Sequence, residues 1–184
     1  KFITKQFQDC CSTWLGEVYR VLKPCSPILI MCGRQNQHRF TCASEDVGFI
    51  LKDVITWNKG KAPFRAQKVS NIYEQRGLPL DYEGDWRLGN LSPYCEPIVY
   101  MFKPYKVGTT ITDQFMENKL GCFDASILTK NIVEVSSLRK NSNHPTEKPV
   151  ELMETLVKLV SVEGSTVLDM FSGRGSTGIA CVNT

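Results

Sequence analysis

Two stretches near the C-terminal end of this 184-residue chain decide its fold: H-P-T-E-K-P at 144–149 and V-L-D-M-F-S-G-R-G-S-T-G at 167–178. The apolar residues at 166–170 predict a buried strand, and 171–175 form a glycine-rich turn after it. A helix then begins at Ser176. A strand, a turn and a helix in this order let a ligand approach the backbone closely, so this unit is the first candidate site.

The glycines of this turn suggest how a ligand is held. Gly173 and Gly175 carry no Cβ and adopt positive φ without strain. The free N–H groups at the start of the following helix point toward whatever lies over the turn. With Gly178 the spacing also fits the G-x-G-x-x-G fingerprint of dinucleotide-binding enzymes, an alternative that predicts NAD binding. Asp169 and Phe171, ahead of the glycines, favour a different ligand.

The rest of the chain alternates helices with short apolar runs. The apolar periodicities predict, in order, a helix at 6–22, a strand at 28–32, a helix at 38–47 ended by Gly48, strands at 50–57, 96–102 and 131–135, and a helix opened by Pro149. The predicted buried stripe of that last helix is Val150, Met153, Leu156, Val157 and Val160. This alternation predicts a single α/β domain, with a largely parallel sheet and helices on both faces.

The two C-terminal motifs, in this order, resemble those of the DNA amino-methyltransferases, which methylate exocyclic nitrogens of adenine or cytosine. The family pattern is H-P-T-x-K-P followed by D-P-F-x-G-S-G-T-T, with the target-base motif first and the S-adenosylmethionine loop last. V-L-K-P at 21–24 and W-x-K at 57–59 also resemble family motifs. The chain departs from the pattern at Met170, Arg174 and Ser176. The resemblance implies a Rossmann-like methyltransferase fold with permuted motif order.

The resemblance also implies a cofactor site for S-adenosylmethionine. Its predicted members are His144, Thr146, Lys148, Asp169, Phe171, Ser172, Gly173, Gly175, Ser176 and Thr177. Asp169 would bind the amino group of the cofactor; the alternative is a carboxylate that accepts hydrogen bonds from the N–H groups of its own turn. Ser176 and Thr177 would cap the helix or bind the cofactor carboxylate, and the sequence does not separate these two roles. His144 receives no catalytic role.

The catalytic residues themselves are not identified. In the family a tetrapeptide of Asp, Asn or Ser followed by Pro-Pro and an aromatic binds the amine of the flipped base. Ser92-Pro93-Tyr94 lacks one proline and follows the V-L-K-P helix instead of preceding it, so we predict an ordinary turn there. The motif is expected upstream of Lys1, and the chain is expected to be a fragment truncated at both ends. A truncated or degenerate DNA-binding domain without catalysis is the alternative function.

Composition fits a DNA-binding protein without requiring one. The net charge is +3, the hydrophobic content 42% and the charged content 22%, values of a soluble globular chain. Basic and aromatic residues alternate along 59–94, and 104–143 has little periodicity. Both excursions are predicted to face DNA, because Lys and Arg contact phosphates and aromatic rings stack on extruded bases. No apolar run approaches the roughly 20 residues of a membrane helix.

The cysteines indicate a reducing compartment. Eight cysteines form no C-x-x-C pair, and two histidines are poor material for a zinc site, so no metal is expected. They are predicted to be reduced thiols of a cytoplasmic protein. The resemblance to the DNA amino-methyltransferases implies a bacterial or phage-encoded enzyme of DNA methylation, typical of restriction-modification systems. It would act on double-stranded DNA, with N6 of adenine favoured over N4 of cytosine, and a homodimer is left open.

Overall fold

The computed structural model describes residues 5–137 and 147–184 of the chain. The elements within these residues are α1 (Lys5–Val21), β1 (Pro27–Met31), α2 (Gln37–Val47), β2 (Ile50–Asn58), β3 (Gln67–Lys68), α3 (Val69–Gln75), β4 (Arg87–Leu88), β5 (Cys95–Phe102), α4 (Ile111–Asn118), β6 (Ile132–Glu134), α5 (Val150–Val160) and α6 (Ser176–Asn183). In the part of the chain that is described, no helix is long and apolar enough to cross a membrane.

The larger sheet has the strand order β1-β5-β2-β6. Strand β5 is antiparallel to both β1 and β2, whereas β6 is parallel to β2. Three of these strands therefore run in one direction, and β5 runs in the other between two of them. The predicted α/β class is confirmed, with a mixed sheet in which one central strand is reversed.

Alternate residues of β5 belong to two separate cores, one on each face of the sheet. Val99 and Met101 pack in one cluster with residues of α1 and α2, such as Leu15. Ile98 and Tyr100 pack in the other with residues of α5, such as Leu152. Because side chains alternate across a strand, this arrangement requires helices on both faces, as predicted.

The helices largely follow the sequence pattern. Helix α2 ends at Gly48, which adopts a left-handed conformation with φ 110°, as expected from its position. In helix α5 the buried residues are Leu152, Leu156 and Leu159, so the predicted buried stripe is wrong. Only Leu156 belongs to both sets. This helix is apolar around most of its circumference, so its sequence alone does not select the stripe that faces the sheet.

The strand predicted at 166–170 is wrong for the described structure. These residues are not part of either sheet, and their side chains are exposed: Val167 by 41%, Leu168 by 55% and Met170 by 41%. A strand is buried by its hydrogen-bonded neighbours and by the helices on its faces. Among the described residues no strand pairs with this segment, so an apolar sequence is not sufficient to bury it.

The excursions hold more regular structure than the sequence suggested. Residues 59–94 contain the two-stranded β3–β4 sheet and α3, although many of their large apolar side chains remain exposed. Helix α4 was not predicted. It begins with a capping box, in which Thr110 Oγ1 accepts from Asp113 N at 3.2 Å and Asp113 Oδ2 accepts from Thr110 N at 2.7 Å. The T-x-x-D spacing was the available signal.

Candidate functional site

The glycine turn has the open geometry that its sequence predicts. Gly173 has φ 51° and Gly175 has φ 77°, which confirms the expected positive values. Gly175 N donates to Ser172 O at 2.7 Å and closes the turn before α6. A Cβ built on Gly175 would meet no atom of the described residues within 4 Å. Space for a ligand therefore lies directly against this backbone.

The Asp169 carboxylate binds its own turn. Asp169 Oδ1 accepts from Phe171 N at 3.0 Å, which is the turn-capping role that the sequence analysis gave as the alternative. Asp169 Oδ2 accepts no hydrogen bond from the described residues, so one oxygen stays available. Phe171 is 71% exposed, and its ring makes an edge contact with Trp14 at 5.3 Å between centroids.

No side chain of the described residues caps the start of α6. Its N-cap residue is Gly175, and no side-chain cap bond from the described residues reaches the first turn, so capping by Ser176 or Thr177 is wrong. Ser176 is 8% exposed, and its hydroxyl donates to Lys148 O at 2.8 Å. Ser176 thus ties the helix start to the end of the H-P-T-E-K-P motif. The first N–H groups of α6 remain available to an anion.

Lys148 is ion-paired within the protein. Its Nζ lies 2.8 Å from Glu96 Oε2, while Lys59 Nζ lies 3.0 Å from Glu96 Oε1. Both ammonium groups sit over the ring of Trp57, at 5.2 Å for Lys148 and 5.9 Å for Lys59. Trp57 is fixed in turn by Nε1 donating to Val135 O at 2.7 Å. The Lys148 side chain thus forms an ion pair in this structure, and its predicted contact with the cofactor stays a prediction.

Glu96 is the residue that sequence reasoning missed. The signal was a charged residue at the start of an otherwise apolar strand, E-P-I-V-Y-M-F at 96–102. Burial acts to raise the pKa of Glu96, but the hydrogen bonds and charges of Lys148 and Lys59 outweigh it, so the pKa is lowered. The carboxylate is therefore ionised at neutral pH and holds both lysines.

Cys32 is a buried cysteine that is close to the charge of Glu96. Burial, with the charge of Glu96 as a second cause, raises the pKa of Cys32 to about 11. The thiol stays protonated near neutral pH, and a protonated thiol does not support covalent catalysis. All eight cysteines are free. Within the described ranges, no three His, Cys, Asp or Glu side chains are grouped as metal ligands.

Two predictions remain, one on His144 and Thr146 and one on the turn at 92–94. His144 and Thr146 lie outside the described residues. Residues 92–94 form a turn, as predicted, in which Tyr94 N donates to Ser92 O at 2.9 Å and Ser92 Oγ donates to Ala62 O at 3.1 Å.

Fold and site together define an α/β domain with an open glycine turn suited to a nucleotide-like cofactor. The chain belongs to the DNA methylase family, since the family model for DNA methylases matches residues 1–184. It is 36% identical over 190 residues to the Type II methyltransferase M.HindIII of Haemophilus influenzae. It is 32% identical over 142 residues to the Type II methyltransferase M.BglI of Bacillus subtilis.

The matches cover most of this chain but a smaller share of each relative. The match to M.HindIII covers 96% of this chain and 62% of that protein, and the match to M.BglI covers 77% and 34%. The chain therefore spans less than two thirds of the length of either relative.

Solved structures of the same fold include the complex of M1.HpyAVI with SAM, at 21% identity and TM-score 0.63, covering 94% of this chain and 70% of that one. The cytosine-N4-specific PvuII DNA methyltransferase matches at 14% identity and TM-score 0.64, covering 97% and 63%. At these identities the likeness establishes the fold.

Proposed function

We propose that this protein transfers a methyl group from S-adenosylmethionine to an exocyclic amino nitrogen of a base in double-stranded DNA, with N6 of adenine favoured over N4 of cytosine. The observation that carries the proposal is the open glycine turn before the uncapped start of α6, in a chain of the DNA methylase family. M1.HpyAVI, which shares the fold, is described as a complex with SAM.

The residues of the turn fit this cofactor. The free N–H groups of α6 and the positive end of its dipole suit the cofactor carboxylate. Asp169 Oδ2 suits the cofactor amino group, since a charge-assisted hydrogen bond favours such a pair. Phe171 offers an exposed apolar ring beside the turn. When bound, S-adenosylmethionine supplies a methyl group on a positively charged sulfur.

The Glu96 ion pairs position the site. Glu96 holds the side chain of Lys148, and the carbonyl of Lys148 accepts from Ser176 at the start of α6. The H-P-T-E-K-P motif is thereby joined both to β5 and to the turn that would receive the cofactor. Methyl transfer between two bound groups depends mainly on their alignment, and a fixed network of this kind maintains it. His144 and Thr146 are proposed as further cofactor contacts.

Double-stranded DNA is the proposed partner, and the excursions 59–94 and 104–143 are its proposed contact regions. The first carries exposed aromatic side chains, including Phe64 and Trp86, beside exposed basic residues. Basic side chains bind phosphates and exposed rings stack on an extruded base.

The test is methyl transfer to duplex DNA. The protein is incubated with isotope-labelled S-adenosylmethionine and genomic DNA from an unmethylated host, and the hydrolysed nucleosides are separated. Labelled N6-methyladenine is expected. Labelled N4-methylcytosine would show that cytosine is the target base of the same reaction. If the protein binds both DNA and cofactor but no label enters DNA, the non-catalytic alternative replaces this proposal.

A further inference from the structure

A cleft of about 530 Å³ lies between the loop after β1 and the 59–94 excursion. Its polar lining comprises Arg34, from the β1 loop, with Arg65 and Asn90 from the excursion. Pro63 and Pro93 are among the remaining lining residues, and no acidic side chain of the described residues lines the cleft. The cleft therefore combines two cations with an amide in a concave surface.

The two arginines are unneutralised in the described part of the chain. Neither Arg34 nor Arg65 forms a salt bridge there, and both are exposed. Arg34 Nη2 donates to Leu91 O at 3.3 Å, which orients the guanidinium while leaving most of its five N–H donors unused. Neighbouring Arg87 differs, because it pairs with Asp85 at 2.8 Å and stacks on Phe64 at 4.8 Å.

The walls of the cleft are held by hydrogen bonds within the excursion. Ser92 Oγ donates to Ala62 O at 3.1 Å, and Lys59 N donates to Tyr94 O at 2.9 Å. Arg87 Nη1 donates to Ala66 O at 3.3 Å. The cations are thus presented by a formed surface, and a ligand does not have to order a flexible loop before binding.

The cleft lies at the same end of the strands as the ion pairs of Glu96. Arg34 follows the carboxyl end of β1, and Cys32 N donates to Pro97 O, the residue after Glu96. The cleft therefore lies toward the end of the strands that carries Glu96 and its partner Lys148.

We propose that this cleft binds a phosphodiester of the DNA backbone, with Arg34 and Arg65 as its two cationic contacts. The inference rests on the proposed function, since it supplies the position at which the DNA substrate is held. Guanidinium groups bind phosphate oxygens through charge-assisted hydrogen bonds. Contacts of this kind position the duplex and carry no sequence information.

The experiment measures the salt dependence of binding to a duplex of random sequence. Each lost phosphate contact reduces the slope of log K against log salt concentration by about 0.9. Arg34→Ala and Arg65→Ala should each lower the slope by about 1, and the double variant by about 2. Arg34→Lys and Arg65→Lys keep the charge and should retain the slope. The control is Arg20→Ala, near the C-terminal end of α1 and at the opposite end of the strands, where Arg20 pairs with Glu17.

Two results would overturn the inference: slopes that Arg34→Ala and Arg65→Ala leave unchanged, or an equal fall in Arg20→Ala. Titration of the same variants with S-adenosylmethionine separates this inference from the proposed function. Cofactor binding without DNA binding by the wild-type protein contradicts the cleft and leaves the cofactor site standing. Changed salt slopes in a protein that binds no cofactor support the cleft and contradict methyl transfer.

Discussion

Two apolar segments, 96–102 and 166–171, read alike in the sequence and differ in the structure. E-P-I-V-Y-M-F becomes β5, where Ile98, Val99 and Met101 are fully buried between β1 and β2. T-V-L-D-M-F is unpaired among the described residues, and its apolar side chains are exposed by 41% to 71%. Local composition thus allows a strand, whereas hydrogen-bonded neighbours decide whether it forms and is buried.

The two segments also differ in how they contribute to the proposed cofactor site. The exposed segment leads into the glycine turn, whose open face is the proposed cofactor site. The buried segment carries Glu96, which reaches the same site through Lys148 and Ser176. The buried strand therefore holds the lysine that connects to α6, and the exposed segment carries the open turn.

The largest expected effect compares one methionine from each segment. Met101→Ala should lower the free energy of unfolding by about 2 to 5 kcal/mol, because it leaves a cavity in a packed core. Met170→Ala should change it by less than about 0.5 kcal/mol, since this side chain is 41% exposed. Urea unfolding of both variants tests the contrast. Equal losses would mean that the two segments are equally buried in solution.

The next effect concerns Glu96. Glu96→Gln should lower the free energy of unfolding by about 1 to 3 kcal/mol, because it removes the charge that holds two half-buried lysines. The matched control is Glu17→Gln, whose ion pair with Arg20 is about two thirds exposed, with side-chain accessibilities of 68% and 69%, and should contribute less than about 1 kcal/mol. A Glu96→Gln protein as stable as wild type would show that the ion pairs do not stabilise the fold.

The lowered pKa of Glu96 leads us to expect that the stability of the protein depends on pH. The pKa of Glu96 is lowered in the folded protein below its ordinary 4.5, so the unfolded state binds more protons between the two values. The stabilisation is complete above the unfolded pKa and is lost as pH falls through the folded pKa. The stability difference between wild type and Glu96→Gln should therefore narrow below about pH 4.5. If the stability difference between wild type and Glu96→Gln widened as the pH falls, the pKa of Glu96 would be raised in the folded protein, which contradicts the account.

A smaller effect tests the turn. Gly175→Ala should destabilise by about 1 to 2 kcal/mol, since φ 77° is unfavourable for a residue with a Cβ. Gly178→Ala lies in the helical part of α6, where the added Cβ would meet no atom of the described residues outside its own helix turn within 4 Å, and it should raise the free energy of unfolding by up to about 1 kcal/mol. Thermal unfolding measures both. Opposite signs are expected, and a stabilising Gly175→Ala would contradict the left-handed turn.

The sequence predicted the elements whose signals are local. The periodicity of α1 and the glycine that ends α2 each specify their element within a few residues. The buried stripe of α5 and the state of 166–170 depend on which neighbours lie alongside, and local patterns do not contain that information. Glu96 illustrates the same limit at the site, because its two lysine partners lie 37 and 52 residues away in the chain.

The most direct test of the central claim, that the glycine turn binds S-adenosylmethionine, is calorimetric titration of the wild-type protein beside Asp169→Ala. Glu163→Ala, which removes an equal charge shortly before the segment, is the matched control. Wild type and Glu163→Ala should bind alike, and Asp169→Ala should bind about tenfold or more weakly, the loss expected for one charged hydrogen bond. No binding by folded wild type, or equal affinity in Asp169→Ala, would contradict the account.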